Sequence, residues 1–363
     1  MFVMTLCRFG SINKFAMNRR AAFWSGRLTG GIPSADTIAR SACRCDVEAI
    51  RLQLQTIYRK LKRRKGLRSP FHPSLFGLII DGHECFASYR RHCKDCLQRR
   101  IKTPQGERIQ YYHRVVTAVL LCENFVILLD VEQQKPKEGE VICAMRLFER
   151  LMKMYPKAFD IISADGLYAQ RPFIKMVRKH RKHCIVVLKD DRRDLLQEAQ
   201  KHFLRHAPVL YNDNHRQRRV WDIDVKAFWA NTSITIRVVR SVELSYICRQ
   251  GTREKEAKTS DWIWATTIPR SILSAQGLII AGHRRWDIEN KAFNELGKFW
   301  YVNHAYTHNA NAIIAFWMLI MVAYNVFHAF FWFNLKPALR KQRSMILIAE
   351  MITAEFYCFD ASG

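Results

Sequence analysis

Acidic residues are scarce in this chain: 32 Asp and Glu stand against 59 Lys and Arg in 363 residues, a formal net charge of +27. So large an unbalanced positive charge attracts polyanions over long range, nucleic acid first and anionic membrane surface second. A regular cysteine framework is also lacking. The eleven cysteines are scattered through a large chain, which argues against a small disulfide-stapled module and for free thiols in a reducing cytoplasm. No secretory leader is expected, because Arg8, Lys14, Arg19 and Arg20 interrupt the first apolar residues. Only residues 312–335 form an apolar run long enough to span a bilayer. That run carries Asn325, His328 and Asn334, and a helix buried in a protein core has the same pattern, so a core helix is expected rather than a membrane anchor.

What is present is a foldable chain. Hydrophobic residues make up 49%, too many for a disordered polyelectrolyte, and the length allows one large domain with smaller additions. Residues 1–70 read as a helical, basic N-terminal region. Ser34 is placed to cap a helix starting near Ala35, and Val47, Ile50, Leu54, Ile57 and Leu61 recur at helical spacing. The stretch 57–68, IYRKLKRRKGLR, holds seven basic residues and no acid. Lys60, Lys62, Arg63, Arg64 and Lys65 are therefore candidate phosphate contacts, a solvated helix end being the plainer alternative.

Residues 71–190 alternate. Apolar runs at 76–81, 113–122, 125–133, 159–165 and 184–190 predict strands, and helical spacing covers 138–155 and 172–182, with Pro172 in the first turn of the latter. Three strands, helix, strand, helix, strand predicts an α/β fold with a mixed sheet flanked by helices. Residues 191–280 break the rhythm. The runs 219–229, 233–244 and 261–268 suggest an all-β insertion. Helical pattern resumes at 283–299 with Trp286, Ile288, Phe293 and Leu296 on one face; residues 281–340 are read as C-terminal helices of the same domain and 341–363 as a tail.

Two acids stand out by placement. Asp81 and Asp165 each close an apolar run, and the carboxyl ends of strands are where open α/β sheets bind ligands. Two carboxylates brought side by side repel unless they share a cation. Glu289, on the helix after the insertion, can supply a third oxygen ligand, and a set of three suits Mg²⁺ or Mn²⁺. Each acid alone is equally explained as a turn residue, a cap or a solvated helix position.

In this order of elements, and in the motifs LIIDGHE, ISADGLYAQ and RRWDIEN with LGKFW downstream, the chain resembles the DDE transposases of bacterial insertion sequences with a β-strand insertion before the last acid. The resemblance spans roughly residues 30–340. It implies an RNase H-like catalytic domain, with Asp81, Asp165 and Glu289 as catalytic and metal-binding residues. It also implies Mg²⁺ or Mn²⁺ as cofactor, and DNA as partner: the transposon's terminal inverted repeats and the target. Water would cleave the transposon end and the freed 3′-hydroxyl would attack target DNA. The enzyme would act as a homodimer on DNA, in the cytoplasm at the nucleoid, without a membrane. Arg285, four residues before Glu289, would contact phosphate, its fork matching phosphate geometry; an ion pair with Glu289 one turn on is the alternative. The chain departs from the family pattern at two places. Gly282 stands where Tyr is usual, and Leu296 and Gly297 stand where Lys is usual, with Lys298 next along. The sequence therefore admits an active transposase, an RNase H-like nuclease without strand transfer, or a catalytically silent DNA-binding descendant.

Other residues have plainer expectations. Cys93 and Cys96 form a lone CxxC with His83, Cys85, His92 and His113 nearby. A zinc site needs four ligands at workable geometry, and with no second pair, unliganded thiols are expected. His304 and His308 read as ordinary helix residues. Trp221, Trp229, Trp262 and Trp264 read mainly as core, one of them suited to stacking on an unpaired base.

Overall fold

The computed structural model describes residues 1–17, 33–104, 106–189, 194–213, 216–229, 232–248 and 255–356. They form two compact units that do not follow chain order: Met1–Arg68, Ile80–Pro156 and Asp287–Gly363 in one, Ser69–Ile79 and Lys157–Trp286 in the other.

The first unit begins with four helices, α1 (Phe2–Leu6), α2 (Ile12–Met17), α3 (Ala35–Cys43) and α4 (Val47–Arg63). Ser34 caps α3 as expected, its Oγ accepting from the Thr37 N–H at 3.2 Å. Asp46 caps α4 through the N–H groups of Glu48 and Ala49 at 3.0 and 3.1 Å, so an acid also meets the positive end of the helix dipole. Ile50, Leu54, Tyr58 and Leu61 form the buried face of α4.

Four strands follow: β1 (Gly77–Ser88), β2 (Leu97–Thr103), β3 (Gly106–Leu121) and β4 (Val126–Gln133). In this unit β3 neighbours β1. It pairs antiparallel with β2 through residues 106–112 and with β4 through 115–121. Helix α5 (Glu140–Met154) lies on β3 and β4. After a π-helical turn, Ile288–Phe293, come α9 (Asn294–Phe299), α10 (Ala310–Phe333), α11 (Pro337–Gln342) and α12 (Met345–Phe356); α6 to α8 belong to the second unit.

Helix α10 is the apolar run singled out in the sequence. Its most apolar 18-residue window is 72% buried, against α4, β4 and the N-terminal helices. Asn325 explains the polar interruption: its side chain accepts from the Leu128 N–H at 3.0 Å and donates to the Leu128 carbonyl at 2.8 Å, completing the edge of β4. His304 and His308 precede α10 rather than lying on a helix. Met4, Ile12, Phe15, Ile38, Ala42, Ala312 and Phe316 share one core cluster, so the N-terminal helices fold onto α10.

A charged network is buried in the same unit. Asp130 is fully buried and accepts from Arg51 Nε at 3.0 Å, Arg150 Nε at 2.6 Å and its neighbour's N–H. Arg150 and Arg146 both reach Glu132, and Arg146 adds Glu138. Burying such charges is tolerable only because almost every oxygen is matched by a donor.

In the second unit, Gly77, Leu78 and Ile79 of β1 pair in parallel with β5 (Ile161–Ala164), and β5 pairs in parallel with β6 (His183–Val187). Helix α6 (Arg171–Lys179), with Pro at its start, packs on β6. Then come α7 (Asp194–Arg205), β7 (Val209–Asp213), β8 (Arg216–Trp229), β9 (Thr232–Cys248), β10 (Lys255–Thr266) and α8 (Ala275–His283). The order β5-β6-β10-β9-β8-β7 makes the insertion an antiparallel extension that joins at β6, with Trp264 opposite Val187.

The fold is thus the expected α/β class, a mixed sheet with flanking helices. The strand order β4-β3-β1-β5-β6, with β1, β5 and β6 parallel, is the RNase H-like one. The insertion is not all β. It opens with α7, which buries Leu195, Leu196, Ala199 and Phe203 and packs on β8.

Candidate active site

Asp81 follows Leu78, Ile79 and Ile80, all fully buried, on β1. It does not close the strand as expected, because β1 continues to Ser88. Alternation resumes with polar residues after Ile80, and the pleat carries the ladder on without apolar side chains. Asp81 is half-buried, and its Oδ1 accepts from the Gly82 N–H at 2.9 Å. A Cβ at Gly82 would lie 2.4 Å from the Glu140 carboxylate at the start of α5, so that side chain would have to move aside. Glu140 in turn pairs with Arg114 at 3.2 Å.

Glu289 lies in the π-helical turn Ile288–Phe293, where a continuous helix is expected from sequence. Turns of this kind often mark functional positions. Ile288 and Ala292 anchor it in the core, and the Tyr324 hydroxyl donates to the Lys291 carbonyl at 2.9 Å. The turn is tied to β1 by His83, whose ring sits 4.6 Å from that of Phe293 and whose Nε2 is 2.6 Å from Asn303 Oδ1. Burial holds the His83 imidazole below its usual pKa. Asp81 and His83 are two apart on a strand and share a face. Glu289 and Phe293 are four apart on a helical turn. The His83–Phe293 stack therefore faces the Asp81 side of β1 toward the Glu289 turn.

Asp165 closes β5 as expected and begins the 3₁₀ turn Gly166–Tyr168 without capping it. Its Oδ1 is buried and has no hydrogen-bond partner among the described residues. Gly166 lets the turn pass close to β6, since a Cβ would come within 3.0 Å of the Val187 carbonyl. In register, Ile79 pairs with Ser163, and Asp165 follows Ala164, the last residue of β5.

Arg285 falls in a 3₁₀ turn, Arg284–Trp286. It is 4% exposed, and its guanidinium lies 4.9 Å from the Trp286 ring centre. Lys298, by contrast, is exposed on α9. Lys60, Lys62, Arg63, Arg64 and Lys65 are all exposed around the C-terminal end of α4. Of these, Arg64 also reaches the Asn334 side chain at 3.3 Å.

The tryptophans divide. Trp264 is buried and stacks on Trp262, with centroids 6.0 Å apart and planes 9° apart. Trp262 also lies near Lys189, His283 and Trp286. Trp221 donates to the His206 carbonyl at 2.9 Å. The Trp229 side chain lies outside the described residues. His283 joins a feature the sequence did not signal: buried Glu243 takes His283 Nε2 at 2.8 Å and the Ser241 hydroxyl at 3.0 Å, with Arg216 and Arg218 beside it.

Residues 90–326 match the family model described as "Transposase DDE domain". That stretch is well over half of the chain, and the chain belongs to this family. No curated protein matches the sequence. Among solved structures, the NurA nuclease from Sulfolobus solfataricus is similar over 68% of this chain and 80% of its own, at 10% identity and a TM-score of 0.26. A likeness that loose bears on neither fold nor function.

Proposed function

We propose that this chain is a DNA transposase that cuts and joins phosphodiesters, with Asp81, Asp165 and Glu289 as its acidic centre. Membership of the transposase family makes DNA the substrate class. The observation that carries the site is the Asp165 carboxylate, one of whose oxygens is buried without a donor among the described residues, directly after β5. A buried carboxylate oxygen with no partner is costly unless a ligand completes it, and hard carboxylate oxygens suit Mg²⁺ or Mn²⁺. When bound, such an ion supplies charge neutralisation at the phosphate and acidifies the attacking hydroxyl.

The chain's own residues do the rest. The three carboxylates hold the reacting region, and the His83–Phe293 stack sets the Glu289 turn against β1. Lys298 and the basic end of α4 bind phosphates of the terminal repeats and target. Arg285 takes the phosphate nearest the acids once its guanidinium leaves its seat on Trp286. Water cleaves at the transposon end, releasing a 3′-hydroxyl, and that hydroxyl attacks target DNA, with a homodimer holding the ends in the cytoplasm at the nucleoid.

The test is a cleavage and strand-transfer assay with Mg²⁺ on DNA carrying the terminal repeats of the element. The wild type cuts and joins. Asp81→Ala, Asp165→Ala and Glu289→Ala each drop to background while retaining DNA binding in a gel shift. Cleavage unaffected by all three substitutions refutes the site. Cutting without joining identifies a nuclease, and binding without cutting a silent descendant.

A further inference from the structure

Three side chains far apart in local sequence logic meet outside the acidic centre. Cys93 and Cys96 lie in the connection from β1 to β2, and His113 lies on β3. Leu97 pairs with Tyr112 at the end of that antiparallel ladder, and Cys96 and His113 are the residues just beyond the pair. Cys93 Sγ is 3.7 Å from Cys96 Sγ, and His113 Nε2 is 3.3 Å from each sulfur. Among the described residues, this is the group of His, Cys, Asp or Glu whose ligand atoms all lie within 4.8 Å of one another.

These distances lie near those of a tetrahedral metal site, closest for the two sulfurs. Bonds of about 2.3 Å to sulfur and about 2.05 Å to nitrogen at a tetrahedral ion place the sulfurs about 3.8 Å apart and each sulfur about 3.6 Å from nitrogen. A disulfide would bring the sulfurs to about 2.05 Å. The surroundings also fit. His113 is fully buried and Cys96 is 5% exposed. The Cys93 N–H donates to Cys96 Sγ at 3.2 Å, as suits a thiolate. The Gln133 amide nitrogen Nε2 lies 2.9 Å from His113 Nδ1. With that amide turned so that its oxygen accepts, it fixes the tautomer that leaves Nε2 free to ligate. A fourth ligand is at hand. The His308 ring centre is 6.3 Å from that of His113, and its Nδ1 is buried without a hydrogen-bond partner among the described residues.

We propose that Cys93, Cys96 and His113 bind zinc, with His308 turning to complete the tetrahedron. The site is structural. It clamps the β1–β2 connection to β3 and to the segment leading into α10, all within the first unit. It is independent of the acidic centre, which takes a hard cation on oxygen.

The full-length chain, expressed in zinc-supplemented medium and purified without chelator, is expected to carry about one zinc per chain by elemental analysis. Replacing zinc with Co²⁺ should give the visible bands of a tetrahedral ion and a thiolate-to-cobalt charge-transfer band. Cys93→Ser and Cys96→Ser should lose both. His308→Ala should weaken zinc binding about 10-fold or more, and unchanged affinity in that variant overturns the assignment of the fourth ligand. Because a cysteine variant can fail to fold, the wild type is tested in parallel: blocking its thiols with a mercurial should release zinc to a chromogenic chelator. Little or no zinc in the wild type, a cobalt spectrum without the charge-transfer band, or a Cys93–Cys96 disulfide on non-reducing mass analysis overturns the site.

Discussion

The α-carbon of Gly282 lies against the indole of Trp264, so close that a Cβ there would sit 2.6 Å from the ring. The resemblance to the insertion-sequence transposases makes tyrosine usual at this position. Here the space is filled by a buried tryptophan from β10 that packs on Trp262 and His283.

Restoring the motif by Gly282→Tyr should therefore harm the protein. The added side chain must displace Trp264, and overpacking of this kind costs roughly 1–3 kcal/mol. A lower thermal midpoint is expected, with recovery when Trp264 is shortened to Leu in the same chain. A Gly282→Tyr variant as stable as the wild type would contradict the packing.

Asp130 should be among the least replaceable residues of the first unit. Asp130→Ala leaves Arg51, itself 4% exposed, as a buried charge missing its main partner. Breaking such a pair costs about 3–5 kcal/mol, readable as a reduced urea midpoint. A loss below about 1 kcal/mol would show that Glu48, which also pairs with Arg51, suffices to hold that charge.

The second unit should lose stability in acid through Glu243. Burial alone would push this carboxyl up, but its contacts with His283, Ser241 and Arg218 outweigh burial and hold it below its ordinary value. A carboxyl with a lowered folded pKa binds fewer protons folded than unfolded. Its contribution is therefore complete above the unfolded value of about 4.3 and is lost as pH falls through the folded value. Denaturation midpoints of the wild type should fall over that acid range. Glu243→Gln should be less stable at neutral pH and show a shallower fall; equal slopes for the two proteins would remove Glu243 from the account.

Charge removal at the end of α4 should weaken DNA binding without sequence preference. Replacing Lys60, Lys62, Arg63, Arg64 and Lys65 by Gln removes exposed cations, of which Arg64 also bonds Asn334 and Lys62 lies over the Tyr58 ring. Each lost phosphate contact should flatten the slope of log affinity against log salt by about 0.9. The thermal midpoint should stay within about 2 °C, since surface substitutions cost little. An unchanged salt slope would leave that cluster a solvated helix end.

Legibility in the sequence followed the source of order. Helix α4 could be read because the spacing of its apolar positions is local, and the β5 strand because four consecutive buried residues, Ile161–Ala164, precede an acid. The polar half of β1 and all of β2 escaped notice. Leu97–Thr103 alternates Arg and Lys with few apolar partners, and its strand state rests on the β3 ladder. Helix α7 was hidden among β-like neighbours because its four buried residues gain meaning only against β8. The break of 283–299 into 3₁₀, π and α turns also leaves no mark in apolar spacing, which is the same for each.

By itself the sequence determined the excess of base, the apolar strands and helix faces, and the acids Asp81 and Asp165 at their places along two such strands. These are properties of residues and their near neighbours, where side-chain period and burial are coupled directly. The tertiary structure decided what distant residues do together. It set Ile79 beside Ser163, stacked His83 on Phe293, covered Arg285 with Trp286 and drew His113 to Cys93 and Cys96. The physical reason is that strand register and helix packing are chosen by the whole core, so a one-residue slip of a strand, silent in composition, would move its side chains, His83 and His113 among them, to the opposite face.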